Sequence, residues 1–178
     1  MGSRRGFLRL AVVLPSILGG CGWSPLYADR DEDPADAALR EVRVDTIPER
    51  IGQRLALALR SSFNPRGASV PQRYVLRTTL QTVRADLGVQ SQGLGTRGKL
   101  DVYATYVLSD ILSGAALFTT TSHVAESFDI VANEYAALVA EEDARVRAVE
   151  ELRRDITTRL TLFLQRRALA AGAKPGAP

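Results

Sequence analysis

Every second residue from Tyr74 to Thr82 (Tyr74, Leu76, Thr78, Leu80, Thr82), and again from Leu100 to Leu108 (Leu100, Val102, Ala104, Tyr106, Leu108), is of a type that suits a pleated, half-buried surface. A period of two puts each set on one face of a strand. Alternation this long commits the middle of the chain to an antiparallel sheet with one covered side. A third run, from about Leu117 to Ile130, carries Phe118, Val124, Phe128 and Ile130 in phase, and Ser113-Gly114 ahead of it marks a tight hairpin. Upstream, Glu41-Val42-Arg43-Val44-Asp45-Thr46-Ile47 alternates as a short strand.

Two segments have helical period. Thr46-Ile47-Pro48-Glu49 has capping-box spacing, with Thr46 as N-cap and Pro48 tolerated in a first turn. Ile51, Leu55, Ala58, Leu59 and Ser62 then share one face, and Asn64-Pro65-Arg66-Gly67 stops the helix. From Asn133, a plausible N-cap, Leu138, Val139, Val146, Val149, Leu152, Ile156, Leu160, Phe163 and Leu164 predict one apolar stripe. A helix over 134–169 would be about 54 Å long. A fifteen-residue strand is about 50 Å, so the helix can cover such a strand end to end. The fold predicted for residues 39–170 is therefore α+β: a two-layer sandwich in the order β-α-β-β-β-α, two helices on one face of a mostly antiparallel four-stranded sheet. Residues 171–178 predict a disordered tail.

The N-terminus is an address. Ser3-Arg4-Arg5-Gly6-Phe7-Leu8-Arg9 is a basic leader, followed by an apolar run from Leu10 to Leu18 that is about half of what a membrane-spanning helix needs. Residues 1–20 therefore form a signal peptide. Leu18-Gly19-Gly20-Cys21 resembles a lipobox, which makes Cys21, the single cysteine, the acceptor of diacylglycerol. The Arg4-Arg5 pair also resembles a twin-arginine export motif, so both that route and the general secretory route stay open. Residues 21–38, rich in Pro and acidic residues without helical or strand period, read as a lipidated tether. Gly22 after the cysteine, where no acidic residue stands, favours release to the outer membrane.

Composition removes several function classes. The chain has 23 Lys and Arg against 20 Asp and Glu, and Arg4, Arg5 and Arg9 of the leader make up the whole excess. A neutral mature domain lacks the footprint of a nucleic-acid binder. One Cys and one His exclude disulfide frameworks and Cys- or His-rich metal sites. Gly93-Leu94-Gly95-Thr96-Arg97-Gly98 matches G-x-G-x-x-G but sits between two strands, where a dinucleotide site needs strand, glycine loop and helix. It is read as a wide hairpin loop, Ser91 to Gly98. His123 falls on the side of Thr119, Thr121 and Ala125, a sheet-surface position, and Glu141-Glu142-Asp143 reads as a solvated helix face. With no Gly-x-Ser-x-Gly or Ser-x-x-Lys present, no catalytic residue, cofactor-binding residue or metal ligand is predicted, and the chain is not expected to be an enzyme.

Three pieces carry a family likeness. Cys21-Gly22-Trp23-Ser24-Pro25-Leu26-Tyr27, the stretch Ile47-Pro48-Glu49-Arg50-Ile51-Gly52-Gln53, and Tyr135-Ala136-x-x-Val139-Ala140-Glu141-x-Asp143-Ala144 together resemble the alphaproteobacterial LPS-assembly lipoproteins of the LptE family. The resemblance implies a lipoprotein that plugs the lumen of the outer-membrane β-barrel LptD, helps that barrel assemble, and contacts lipopolysaccharide on its way to the outer leaflet. It also implies an outer-membrane location, anchored by acylated Cys21 on the periplasmic side and in the barrel lumen. The alternative is a periplasmic accessory lipoprotein of an inner-membrane transporter, which would share the anchor but not the barrel. Arg84, Arg97 and Lys99 cluster in sequence around the predicted loop, and guanidinium and ammonium groups bind the phosphates and carboxylates of lipopolysaccharide. They are the candidate lipopolysaccharide contacts, against a plainer role as edge charges that keep a sheet soluble.

Overall fold

The computed structural model describes residues 34–89 and 95–172. Its elements run α1 (Pro34–Arg40), β1 (Val42–Val44), α2 (Glu49–Phe63), β2 (Tyr74–Val89), β3 (Gly95–Asp110), β4 (Ala116–Asp129) and α3 (Glu134–Gly172). The sheet order is β1-β2-β3-β4. β1 and β2 are parallel because α2 carries the chain across between them, and the β2-β3 and β3-β4 pairs are antiparallel hairpin neighbours. The sheet is thus mixed, with one parallel pair, and the helices lie on a single face of it.

The alternation does what its period requires. Leu100, Val102, Ala104, Tyr106 and Leu108 of β3 are buried beneath the helices with Tyr74, Leu76, Val124 and Phe128. Their neighbours Tyr103, Thr105, Thr121 and His123 line the uncovered face. Burying this set, together with Val149, Leu152, Ile156, Leu160 and Leu164 of α3, supplies the main driving force for folding, at about 25 cal/mol per Å² of apolar surface removed from water.

Four local expectations need correction. The stretch read as pure tether contains α1: Pro34 opens it, where a missing N–H costs nothing, Asp36 suits its first turn, and Ala35 and Leu39, four apart, are buried. The Thr46 capping box does not form. α2 begins at Glu49 with Pro48 as N-cap and no side-chain cap, and Glu49 takes φ 64°, a left-handed conformation that non-glycine residues rarely adopt. That turn lays Ile47 over the first turn of α2, where a Cβ on Gly52 would stand 2.6 Å from Ile47 Cγ2. The third correction concerns α3. Leu138, Val139 and Val146 are exposed, and Glu141, Ala144 and Ala148 occupy the inner face instead. Ala144 and Ala148 belong to a row spaced by four that continues through Leu152, Ile156, Leu160 and Leu164, and small residues are needed where α1 and α2 also pack against α3.

The fourth correction is the glycine-rich hairpin. Gly95 to Gly98 lie within β3, where Gly98 pairs with Asp86 on one side and Phe128 on the other. A Cβ on Gly98 would fall 2.6 and 2.7 Å from Cε2 and Cε1 of Phe128, so this glycine is where the ring lies on the backbone. Two other local expectations hold. Asn133 caps α3, its Oδ1 accepting from the Ala136 N–H at 3.1 Å. Gly114, at φ 70°, closes the turn between β3 and β4. α3 runs to Gly172, two residues into the segment predicted as tail, and residues 173–178 lie outside the described part.

Candidate functional site

Strand register decides how the three candidate basic residues relate. Arg84 is paired with Leu100, a core position, and so projects on the helix-bearing side, whereas Lys99 is paired with Ala85 and Arg97 with Leu87 on the uncovered side. The three share one end of the sheet but not one face. Arg84 is occupied structurally: its guanidinium lies 5.7 Å from the Phe128 ring centroid, 3.3 Å from Asp86 and 3.6 Å from Glu141 at the start of α3. It thereby ties the outer hairpin to the helix layer. Arg97 faces Asp129 at 3.8 Å, and Lys99 faces Asp101 at 3.0 Å.

Lys99 belongs to a small polar array on the uncovered face. Asp101 Oδ1 also meets His123 Nε2 at 2.9 Å, and the hydrogen bonds from His123 and then Lys99 hold the Asp101 carboxyl below the ordinary carboxylate range. The His123 ring stacks on Tyr103, centroids 4.4 Å apart and planes 15° from parallel. Beside them the Thr105 and Thr121 hydroxyls are 3.0 Å apart. His123 sits where alternation places it. The result is a face of threonines, a stacked ring pair and paired charges that no helix among the described residues covers.

On the other side, one polar link pins α3 to the sheet. Ser122 donates to Asp155 Oδ2 at 2.5 Å, the Tyr106 hydroxyl lies 3.3 Å from Ser122 Oγ, and Arg159 Nε donates to both Asp155 oxygens at 2.9 and 2.8 Å. Burial works against ionising Asp155, but the bonds from Ser122 and Arg159 outweigh it, so the carboxyl sits below its usual range. Ser122 is fully buried, out of reach of any substrate. The sequence signal for this link was present only as a serine on the core face of β4, too common a residue to single out. Arg147 similarly reaches from α3 across the free edge of β4 to Glu126 Oε2 and the Ser127 carbonyl, both at 2.9 Å.

The outward side of α3 near its start is apolar: Tyr135, Leu138, Val139 and Val146 are all exposed. Among the described residues no three of His, Cys, Asp and Glu come together as a metal site, and no helix is long and apolar enough to cross a membrane. Cys21, the segment expected to be a signal peptide and the expected tether up to residue 33 lie outside the described residues.

The comparisons agree with this architecture. A crystal structure of a lipoprotein from Caulobacter crescentus is similar with a TM-score of 0.61 and 23% identity, covering 73% of this chain and 95% of that one. A minor lipoprotein from Acinetobacter baumannii is similar with a TM-score of 0.51 and 18% identity, covering 68% and 90%. At these identities the likeness is one of fold. No curated protein matches by sequence. The family model LptE, described as lipopolysaccharide-assembly, matches residues 39–160, the span from the end of α1 through the buried row of α3. The chain belongs to the LptE family of lipopolysaccharide-assembly proteins.

Proposed function

We propose that this protein is an outer-membrane lipoprotein, anchored through acylated Cys21, that occupies the lumen of the LptD barrel, assists its assembly and contacts lipopolysaccharide in transit without turnover of its own. The observation that carries the reading is the LptE match across residues 39–160. Two surfaces suit such a role. The uncovered sheet face, with Thr79, Gln81, Tyr103, Thr105 and Thr121, is largely polar apart from Val83 and Leu87, as a water-filled barrel interior is, and would be poorly solvated by lipid. The exposed Tyr135, Leu138, Val139 and Val146 offer an apolar stripe of the kind that packs against a protein wall. Of the three candidate basic residues, Arg97 and Lys99, on the open face, would meet glycolipid anions, while Arg84 would act by holding the hairpin beneath them. Exchanging Arg97 and Lys99 together for Ser should weaken lipopolysaccharide binding in a salt-dependent way and leave the fold intact. Unchanged binding at low salt would remove that assignment.

A further inference from the structure

β2 runs for 16 residues, but β1 has only three and pairs with Tyr74, Val75 and Leu76 alone. The last bond between them runs from the Asp45 N–H to the Leu76 carbonyl at 3.0 Å. From Arg77 to Val89 no strand among the described residues lies beside β2 on that side. The Leu76 carbonyl fixes which groups face this empty lane. In a strand paired antiparallel, alternate residues turn both N–H and C=O the same way, so Thr78, Leu80, Thr82, Arg84 and Asp86 present theirs to it. An open ladder of this kind takes up another strand unless something guards it.

The other edges are guarded. Arg147 reaches over β4 to the Ser127 carbonyl, and β1 is too short to offer a ladder of its own. The β2 lane has neither proline nor lysine. Every residue from Gln81 to Leu87 is exposed, on the helix-bearing side as well as the uncovered one, so the helix layer does not overhang this stretch. Val83 and Leu87, each 43% exposed, flank Ala85 on the uncovered side. On the helix-bearing side Arg84 and Asp86 flank the same alanine with opposite charges, 3.3 Å apart.

This pattern is self-complementary. An antiparallel strand of identical sequence, centred on Ala85, sets Val83 of one copy opposite Leu87 of the other and Arg84 opposite Asp86. The twofold axis repeats each pair and passes beside a small side chain. Arg84 and Asp86, whose backbone groups face the lane, are then directly opposed, as the hydrogen-bonded pairs of an antiparallel ladder require. We propose that the protein, when not held by another partner, dimerises with a second copy of itself through this edge, joining two four-stranded sheets into one of eight strands. A strand of unrelated sequence would gain the ladder but not both pairings, which is why the occupant is a second copy. The dimer is a state of the protein apart from any barrel and does not depend on the functional reading above.

The test uses the full-length protein purified in non-ionic detergent without the barrel. Sedimentation velocity should show a monomer–dimer equilibrium that follows protein rather than detergent concentration. Val83→Lys and Asp86→Arg, both at exposed positions, should each raise the dissociation constant about tenfold or more, because every substitution counts twice across the axis. Cysteine pairing reads the register. Opposed residues of a non-hydrogen-bonded pair have Cα atoms about 4.5 Å apart, within disulfide range. Ala85→Cys should therefore give a covalent dimer on mild oxidation, and equally so when Cys21 is replaced by Ser. Thr79→Cys, on the same face but roughly 40 Å from its mate, should give none. Val83→Cys combined with Leu87→Cys should link two copies where either alone does not. A monomer at every concentration, failure of Ala85→Cys to link, or a dimer that survives Val83→Lys overturns the proposal. If Val83→Lys stays dimeric and instead loses the barrel on copurification, the edge belongs to the barrel and not to a second copy.

Discussion

Replacing Gly98 by alanine puts a methyl group where the Phe128 ring now rests, 2.6 and 2.7 Å from two of its carbons. Phe128 is only 5% exposed and has Arg84 over its ring, so it cannot swing out freely. Overpacking of this kind costs about 1–3 kcal/mol. Against it stands the usual advantage of alanine over glycine in a strand interior, roughly 0.5–1 kcal/mol. The net expectation is a loss of about 1–2 kcal/mol, or about 2–4 °C in Tm per kcal/mol for a chain of this size. The decisive comparison is a double-mutant cycle read by urea unfolding with circular dichroism. Phe128→Ala alone should cost about 3–5 kcal/mol. In that background the clash is gone, and Gly98→Ala should become neutral or stabilising. An equal cost for Gly98→Ala in both backgrounds would refute the claim that this glycine exists to seat the ring.

Three further outcomes are expected. Leu152→Asp, at a fully buried position, should cost several kcal/mol in the same assay, whereas Leu138→Asp, 64% exposed, should leave stability nearly unchanged and reduce copurification of the barrel. The folded-state pKa of Asp155 lies below its ordinary value, so its stabilising effect is fully present above the unfolded value of about 3.9 and is lost as pH falls through the folded value. The stability gap between the parent protein and Asp155→Asn should therefore be steady near neutral pH and close in acid, as urea midpoints across pH will show. Cys21→Ser should abolish incorporation of labelled palmitate, and labelling of that variant would place the anchor elsewhere.

Strand content was legible because a period of two needs only the chain itself: the core faces of β2, β3 and β4 follow directly from alternation, and β4 was placed within a residue or two. What escaped was set by contacts between elements. Ala144 and Ala148 look like helix filler until α1 and α2 are seen to press against α3, and Leu138 looks like core until that row of alanines takes the inner face. The turn at Glu49 overrode a well-spaced capping box, because burying Ile47 over Gly52 outweighs one capping bond of about 1 kcal/mol. The basic residues were found as a group in sequence, but the register that divides Arg84 from Lys99 and Arg97 follows from the strand pairing.

The central claim is that this lipoprotein works inside an outer-membrane barrel. Its most direct test is purification of the tagged full-length protein from native membranes in mild detergent, followed by identification and stoichiometry of what accompanies it. The account predicts an equimolar large outer-membrane β-barrel, lost from the membrane when this protein is depleted. An inner-membrane transporter in its place, or an intact barrel with normal surface lipopolysaccharide after depletion, would contradict it.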